Sequence, residues 1–175
     1  KLVGHLIVAF ILVIMGDIRI TGMYGLCGIE ELPEWASIFL SILTYTAIVN
    51  SINLIDGVDG LASGVGIIAS VAMGVWFYYA GAIQHAVLAM AMAGSLIGFL
   101  VYNFSPAKIF MGDSGSLTIG LVLSILAIKL IEYPVDELPN ELIGVSRPVF
   151  AMAALVYPLT DTLRIFIYRI SHGMS

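Results

Sequence analysis

Asn50, Asn53, Asp56 and Asp59 recur at intervals of three in the run Asn50-Ser51-Ile52-Asn53-Leu54-Ile55-Asp56-Gly57-Val58-Asp59-Gly60. Their amide and carboxylate oxygens are hard donors. Such donors suit Mg²⁺ (or Mn²⁺); the former takes about six oxygens and keeps some of its waters. A second polar island reads Asn103-Phe104-Ser105-Pro106-Ala107-Lys108-Ile109-Phe110-Met111-Gly112-Asp113-Ser114-Gly115-Ser116. It sets Asp113 among small residues just before an apolar run. A helix starting there would present free backbone N–H groups, a good seat for phosphate. Polar and acidic groups at membrane depth are expensive and usually have a task. Two such islands at helix ends on one face would make a site for an anionic ligand with a divalent cation between them.

Each residue also has a plainer reading. On a helix, a spacing of three keeps Asn50 and Asn53 on one slowly drifting stripe. Gly57 and Gly60 then let the backbone turn, so that Asp56 and Asp59 enter the same space. The competing role is helix capping, by Asp59 for a helix starting near Gly60 and by Asp113 for the next. Lys108 reads either as a phosphate partner or as an interfacial anchor. Phe110 reads as a ring that stacks on a base or sugar, or as an aromatic anchor. Asp161 follows Pro158 by three residues, with Arg164 one turn later and Arg169 beyond. A proline kink there would leave Asp161 and Arg164 to neutralise each other. His5, His85 and His172 lack metal-ligand spacing. There is no nucleophile–histidine constellation and no P-loop.

These residues must be positioned by membrane helices. The chain has 175 residues, of which 60% are hydrophobic and 11% charged, more apolar surface than one soluble core can bury. The fold class that follows is all-α, a polytopic membrane helix bundle with about six transmembrane helices in one domain over 1–175. The apolar stretches are 2–15, 35–51, 61–79, 86–102, 114–131 and 148–168. A crossing needs about 20 residues for ~30 Å of hydrocarbon, so the first stretch is short. Strand pairing is a poor alternative, because the stretches are apolar throughout instead of alternating. Net charge is −5, which argues for no nucleic acid partner. Cys27 is the single cysteine, which precludes an intrachain disulfide.

Six crossings place Lys1, loop 50–60, loop 103–113 and tail 169–175 on one face. Loops 16–34, 80–85 and 132–147 fall on the other. Both islands therefore share a face. Lys1, Lys108, Arg164 and Arg169 lie on or near it, against Arg19, Lys129 and Arg147 towards the other, which favours a cytoplasmic position for the motif face. Trp35, Trp76, Tyr78, Tyr79 and Tyr133 are expected as anchors at the outer interface. Loop 16–34, with Gly16, Gly22, Gly25 and Gly28, is expected to form a short hairpin. No signal-peptide pattern is evident. The start without methionine and the polar end at Ser175 lead to the expectation of a piece of a longer chain.

Asn50-Ser-Ile-Asn53-Leu-Ile-Asp56-Gly-Val-Asp59-Gly-Leu-Ala resembles the Asn-x-x-Asn-x-x-Asp-Gly-x-Asp-Gly-Leu-Ala loop of the polyprenyl-phosphate N-acetylhexosamine-1-phosphate transferases (glycosyltransferase family 4). Asn103 and Phe110-Met111-Gly112-Asp113-Ser114-Gly115-Ser116 resemble that family's second signature loop. Pro158-Leu159-x-Asp161-Thr162 and Arg169 look like the stretch before its last cytoplasmic motif. The loops look closer to the GlcNAc-1-phosphate branch than to the MurNAc-pentapeptide branch.

The resemblance implies a phosphotransferase of the bacterial cytoplasmic (inner) membrane, multi-pass, with its active site on the cytoplasmic face. It would transfer N-acetylhexosamine-1-phosphate from a UDP-N-acetylhexosamine to undecaprenyl phosphate, releasing UMP, as the first membrane step of a cell-surface glycan. It implies Mg²⁺ (or Mn²⁺) on Asp113 with Asn53 assisting. Asp56, Asp59 and Asp113 would be catalytic. Asn50, Asn53, Asn103, Lys108, Phe110 and Met111 would bind substrate, with Phe110 on the uracil. The lipid bilayer and a second copy of the chain, as a homodimer, are the other expected partners. Two departures stand out: the family's Asp-Asp pair before a lysine matching Lys1, and its His-x-His motif after the position of Ser175, fall outside these residues. Residues 1–175 alone are therefore expected to show no transfer. A smaller departure is His5, where relatives often have glutamine. The alternative reading is a membrane transporter or ion channel, which would place its carboxylates near the bilayer midplane. A non-catalytic scaffold would need no ordered Asn/Asp motif at all.

Overall fold

A computed structural model describes residues 2–24 and 30–172. Lys1, Gly25, Cys27, Gly28 and Ser175 lie outside the described residues, and so do the expectations resting on them. Among the described residues, eight helices follow in order: α1 (Leu2–Ile14), α2 (Glu34–Ile55), α3 (Leu61–Tyr79), α4 (Ile83–Asn103), α5 (Gly112–Ile131), α6 (Asn140–Ile143), α7 (Arg147–Ala154) and α8 (Val156–Ser171). Helices α2, α3, α4 and α5 are long and apolar enough to cross a membrane, and α7 with α8 makes a fifth if the bent pair is one span. Among the described residues that makes four or five such spans against the expected six; the 13 helical residues of α1 are fewer than a crossing needs.

The bend between α7 and α8 is 68°. It falls at Leu155, where ψ is 11°, three residues before Pro158. The proline has no N–H to donate to the carbonyl of Ala154, so the helical ladder is interrupted there. The sequence marks the proline; the break comes one turn earlier.

Helix α2 packs chiefly on α5, and α3 on α4. The α2–α5 contact is close because residue 120 is glycine: a Cβ there would lie 2.7 Å from the Cα of Val49. Small residues let membrane helices approach in this way. Buried serines line the bundle without orphaned hydroxyls where they bond back along their own helix. Ser41 donates to the Ser37 carbonyl at 2.6 Å, Ser51 to Ala47 at 2.7 Å and Ser124 to Gly120 at 2.6 Å.

At the end of the bundle where α3 and α5 finish, loop 15–24 is tied down by Glu132. Its carboxylate accepts from the Thr21 N–H and from the Tyr24 hydroxyl, at 2.9 and 2.8 Å. Burial first, and then Glu132, push the Tyr24 phenol well above its usual range, so it stays a donor. The expected hairpin reduces, among the described residues, to one antiparallel bridge between Gly22 and Glu31. Trp35, Tyr78 and Tyr79 are exposed, as anchors should be. Trp76 is not: it is 3% exposed and packs edge-on against Phe77 and Tyr133. Its helix face, not its nearness to the interface, decides its burial.

Candidate active site

The other end of the bundle gathers both polar islands. Helix α2 ends at Ile55 and α5 starts at Gly112, and the two ends meet. The Asn53 amide nitrogen donates to Asp113 Oδ1 at 3.2 Å and to Ser116 Oγ at 2.8 Å. Ser116, fully buried, donates its own hydrogen bond to the Gly112 carbonyl at 3.1 Å. An ionised carboxylate can only accept, which requires the nitrogen of Asn53 to face Asp113. The remaining Oδ1 of Asn53 is then the atom through which that residue would touch a cation.

Asp56 closes α2 as its C-cap and is half-buried. Its carboxylate accepts a hydrogen bond from the Gly112 N–H and feels the charge of Asp113. Burial raises its pKa above the ordinary carboxylate range; the Gly112 N–H opposes this and the Asp113 charge adds to it. Gly112 sits at φ +68°, in the left-handed region that glycine adopts without strain, which turns its N–H towards α2.

The second half of the site is built on Asn103. Its Oδ1 accepts from the Gly60 N–H at 3.1 Å and from the Ser63 hydroxyl at 2.9 Å. Its Nδ2 donates to the Ile109 carbonyl at 3.0 Å. Asn103 is buried at 4% exposure, and Ser63 is fully buried. Asn103, expected beside the nucleotide, joins the α2–α3 turn to the α4–α5 loop. Asp59 reinforces the joint: its Oδ2 accepts from the Ala107 N–H at 3.0 Å.

The capping readings are displaced. The N-cap of α3 is Gly60 and that of α5 is Met111, neither with a side-chain cap bond, and Asp113 lies inside the first turn. Phe110 is 76% exposed and Lys108 is exposed, both on the loop that Asn103 holds. Met111 is half-buried against the core. Asn50 lies half-buried one turn deeper on α2 than Asn53. Asp161 and Arg164 form no ion pair among the described residues; instead they line one hollow with Arg169 on α8.

Among the described residues no three His, Cys, Asp or Glu side chains cluster as a metal cage. What the site offers is two carboxylates in electrostatic contact, Asp56 and Asp113, and an amide oxygen. That donor set fits Mg²⁺, which is commonly held by one or two carboxylates and completed by water and phosphate oxygens. It does not fit a closed zinc site. The carboxylates lie at helix ends, not midway along facing helices, which disfavours an ion pathway.

Below the carboxylates, an apolar cavity of about 360 Å³ opens between α1, α2 and α5. Thr46, Val49, Leu117 and Leu121 line it, together with His5 and Tyr45. Leu117 is one turn from Asp113, and Val49 one turn from Asn53.

Sequence reasoning missed Ser63 and Ser116. The available signal was their position: Ser116 closes the second island three residues after Asp113, and Ser63 follows Asp59 by four, so each lies one helical turn from an aspartate of the site.

The model of glycosyl transferase family 4 matches residues 1–131. The decaprenyl-phosphate N-acetylglucosaminephosphotransferase of Mycobacterium leprae is 34% identical over 192 aligned positions, covering 100% of this chain and 47% of that protein. A phospho-N-acetylmuramoyl-pentapeptide-transferase of Moorella thermoacetica is 45% identical over 94 residues, covering 54% and 30%. A probable undecaprenyl-phosphate N-acetylglucosaminyl 1-phosphate transferase of Bacillus subtilis is 45% identical over 94 residues, covering 54% and 26%. The chain spans about half the length of the first of these curated relatives. With both polar islands inside the matched residues and meeting in space, the chain belongs to glycosyl transferase family 4.

Proposed function

We propose that the full-length protein transfers N-acetylhexosamine-1-phosphate from a UDP-sugar to undecaprenyl phosphate, in the bacterial inner membrane and on its cytoplasmic face. An oxygen of the lipid phosphate attacks the β-phosphorus of the UDP-sugar. The bond from that phosphorus to UMP breaks, and a lipid diphosphate sugar remains. The observation that carries this reading is the meeting of Asp56 and Asp113 from two distant islands at one end of an apolar bundle.

The chemical difficulty is bringing two anions together. Mg²⁺ (or Mn²⁺) would supply charge neutralisation of the diphosphate and of leaving UMP. Asp113, Asp56 and the Oδ1 of Asn53 would hold it. Asn53 keeps the Asp113 carboxylate aimed, and Ser116 keeps Asn53 aimed. Asp59 orients the nucleotide from the α2–α3 turn. The exposed ring of Phe110 would stack on uracil beside Met111, and Lys108 would pair with phosphate. Asn50 would bind the lipid phosphate from the deeper turn of α2. The cavity between α1, α2 and α5 would receive the first isoprenoid units, because it lies one turn from both Asp113 and Asn53. A lipid phosphate is ionised near neutral pH, so positioning and neutralisation carry more of the work than a strong base.

The test is a donor screen on the purified full-length protein with Mg²⁺ and undecaprenyl phosphate. UDP-GlcNAc, UDP-GalNAc and UDP-MurNAc-pentapeptide are compared by UMP release and lipid-linked product. One donor should dominate and chelation should stop the reaction. Absence of UMP release with all three donors, in both Mg²⁺ and Mn²⁺, refutes the proposal.

A further inference from the structure

The hydrogen bonds around the site fall into two sets. One set joins Asn53 to Asp113 and Ser116, and Asp56 to Gly112. The other joins Asn103 to Gly60, Ser63 and Ile109, and Asp59 to Ala107. The bonds of Asn53 and those of Asn103 share no atom. The first set holds the carboxylates. The second holds the backbone on either side of the surface that carries Asp59 and Phe110.

We propose that Ser63 is a positioning residue that acts through Asn103 to set nucleoside affinity, separately from the carboxylate half of the site. The hydroxyl of Ser63 is fully buried and touches no solvent, so it acts on a ligand only through what it holds. It donates to Asn103 Oδ1, the same oxygen that takes the Gly60 N–H. With both donors in place, the Asn103 side chain is fixed, and its Nδ2 fixes the Ile109 carbonyl next to Phe110. Without the Ser63 hydroxyl, Asn103 Oδ1 keeps only the Gly60 N–H, and the amide is held less firmly in place. The loop bearing Phe110 and the turn bearing Asp59 then lose their common reference, while Asp113 and Asp56 keep theirs.

This inference rests on the transfer reading above, and its test separates the two. In the full-length protein, Ser63→Ala should raise the KM for the UDP-sugar and the Kd for UMP, measured calorimetrically, by about tenfold, the scale of one hydrogen bond. The kcat and the Mg²⁺ concentration for half-maximal rate should stay within about twofold. Ser63→Thr, which keeps the hydroxyl, should restore UMP affinity. Ser116→Ala should give the opposite split, with kcat lowered and UMP affinity kept. An unchanged UMP Kd in Ser63→Ala, or a fall in kcat with KM unchanged, overturns the assignment while leaving the transfer reading standing. A wild-type protein that neither binds UMP nor releases it removes both.

Discussion

Replacing Asn53 with alanine tests the carboxylate half of the site most directly. The substitution deletes two hydrogen bonds, one to the Asp113 carboxylate at 3.2 Å and one to Ser116 at 2.8 Å. A bond to a charged group contributes about 1.5–3 kcal/mol and a neutral one about 0.5–1.5 kcal/mol. The Asp113 bond is exposed, so water recovers part of it and the lower figure applies. The sum is about 2.5 kcal/mol, which at ~1.36 kcal/mol per decade is roughly a 50- to 100-fold loss of rate. Alanine favours helix, so α2 should keep its fold. The assay is UMP release by the full-length protein at saturating Mg²⁺ and UDP-sugar, with thermal unfolding as the check on folding. The loss should appear in kcat, because the aim of Asp113 matters most when charge moves onto UMP. A folded Asn53→Ala protein within twofold of wild type would refute the claim that this amide positions the carboxylate.

Three further outcomes follow from the geometry. Asp113→Ala should abolish transfer while the protein stays folded, as read by UMP release beside size-exclusion and unfolding profiles; near-normal turnover would end its assignment to the cation. The raised pKa of Asp56 makes protons compete with Mg²⁺ at a pH where an ordinary aspartate stays ionised. Lowering the pH from about 7.5 to about 5 should therefore raise the Mg²⁺ requirement, and Asp56→Asn should flatten that dependence. By the same sign, Asp56 adds stability at acid pH that is lost as pH rises through its folded value, so the metal-free protein should gain melting temperature on acidification, and Asp56→Asn should not. Gly120→Ala should destabilise the bundle by about 1–3 kcal/mol in detergent melts, because its Cβ meets the backbone at Val49.

Much of this arrangement is readable in the chain. The apolar stretches give the membrane helices, and the parity of crossings puts Asn50–Gly60 and Asn103–Ser116 at one end. What was not readable depends on rotation and depth. Periodicity does not say which way the Trp76 face turns, so a residue expected at the interface lies in the core. Asn103 sits in a motif suited to ligand binding, yet its partners come from Gly60 and Ser63, some 40 residues earlier. A buried asparagine that joins two loops and one that reads a nucleotide have the same local sequence. The break at Leu155 similarly needs the carbonyl accounting that Pro158 imposes upstream.

The near contact of Gly120 with Val49 sits towards the carboxylate end of both helices. From there it is four residues along α2 to Asn53 and four back along α5 to Ser116, a lever arm of about 6 Å on each side at 1.5 Å per residue. A 10° scissoring of the two helices would move the joined side chains by only ~1 Å on arms that short. The far ends, with several times that reach, take up most of the swing. A change of crossing angle about that contact would therefore displace the ends beside Glu132 more than Asp56 and Asp113, which lie seven residues from it, about 10 Å at 1.5 Å per residue.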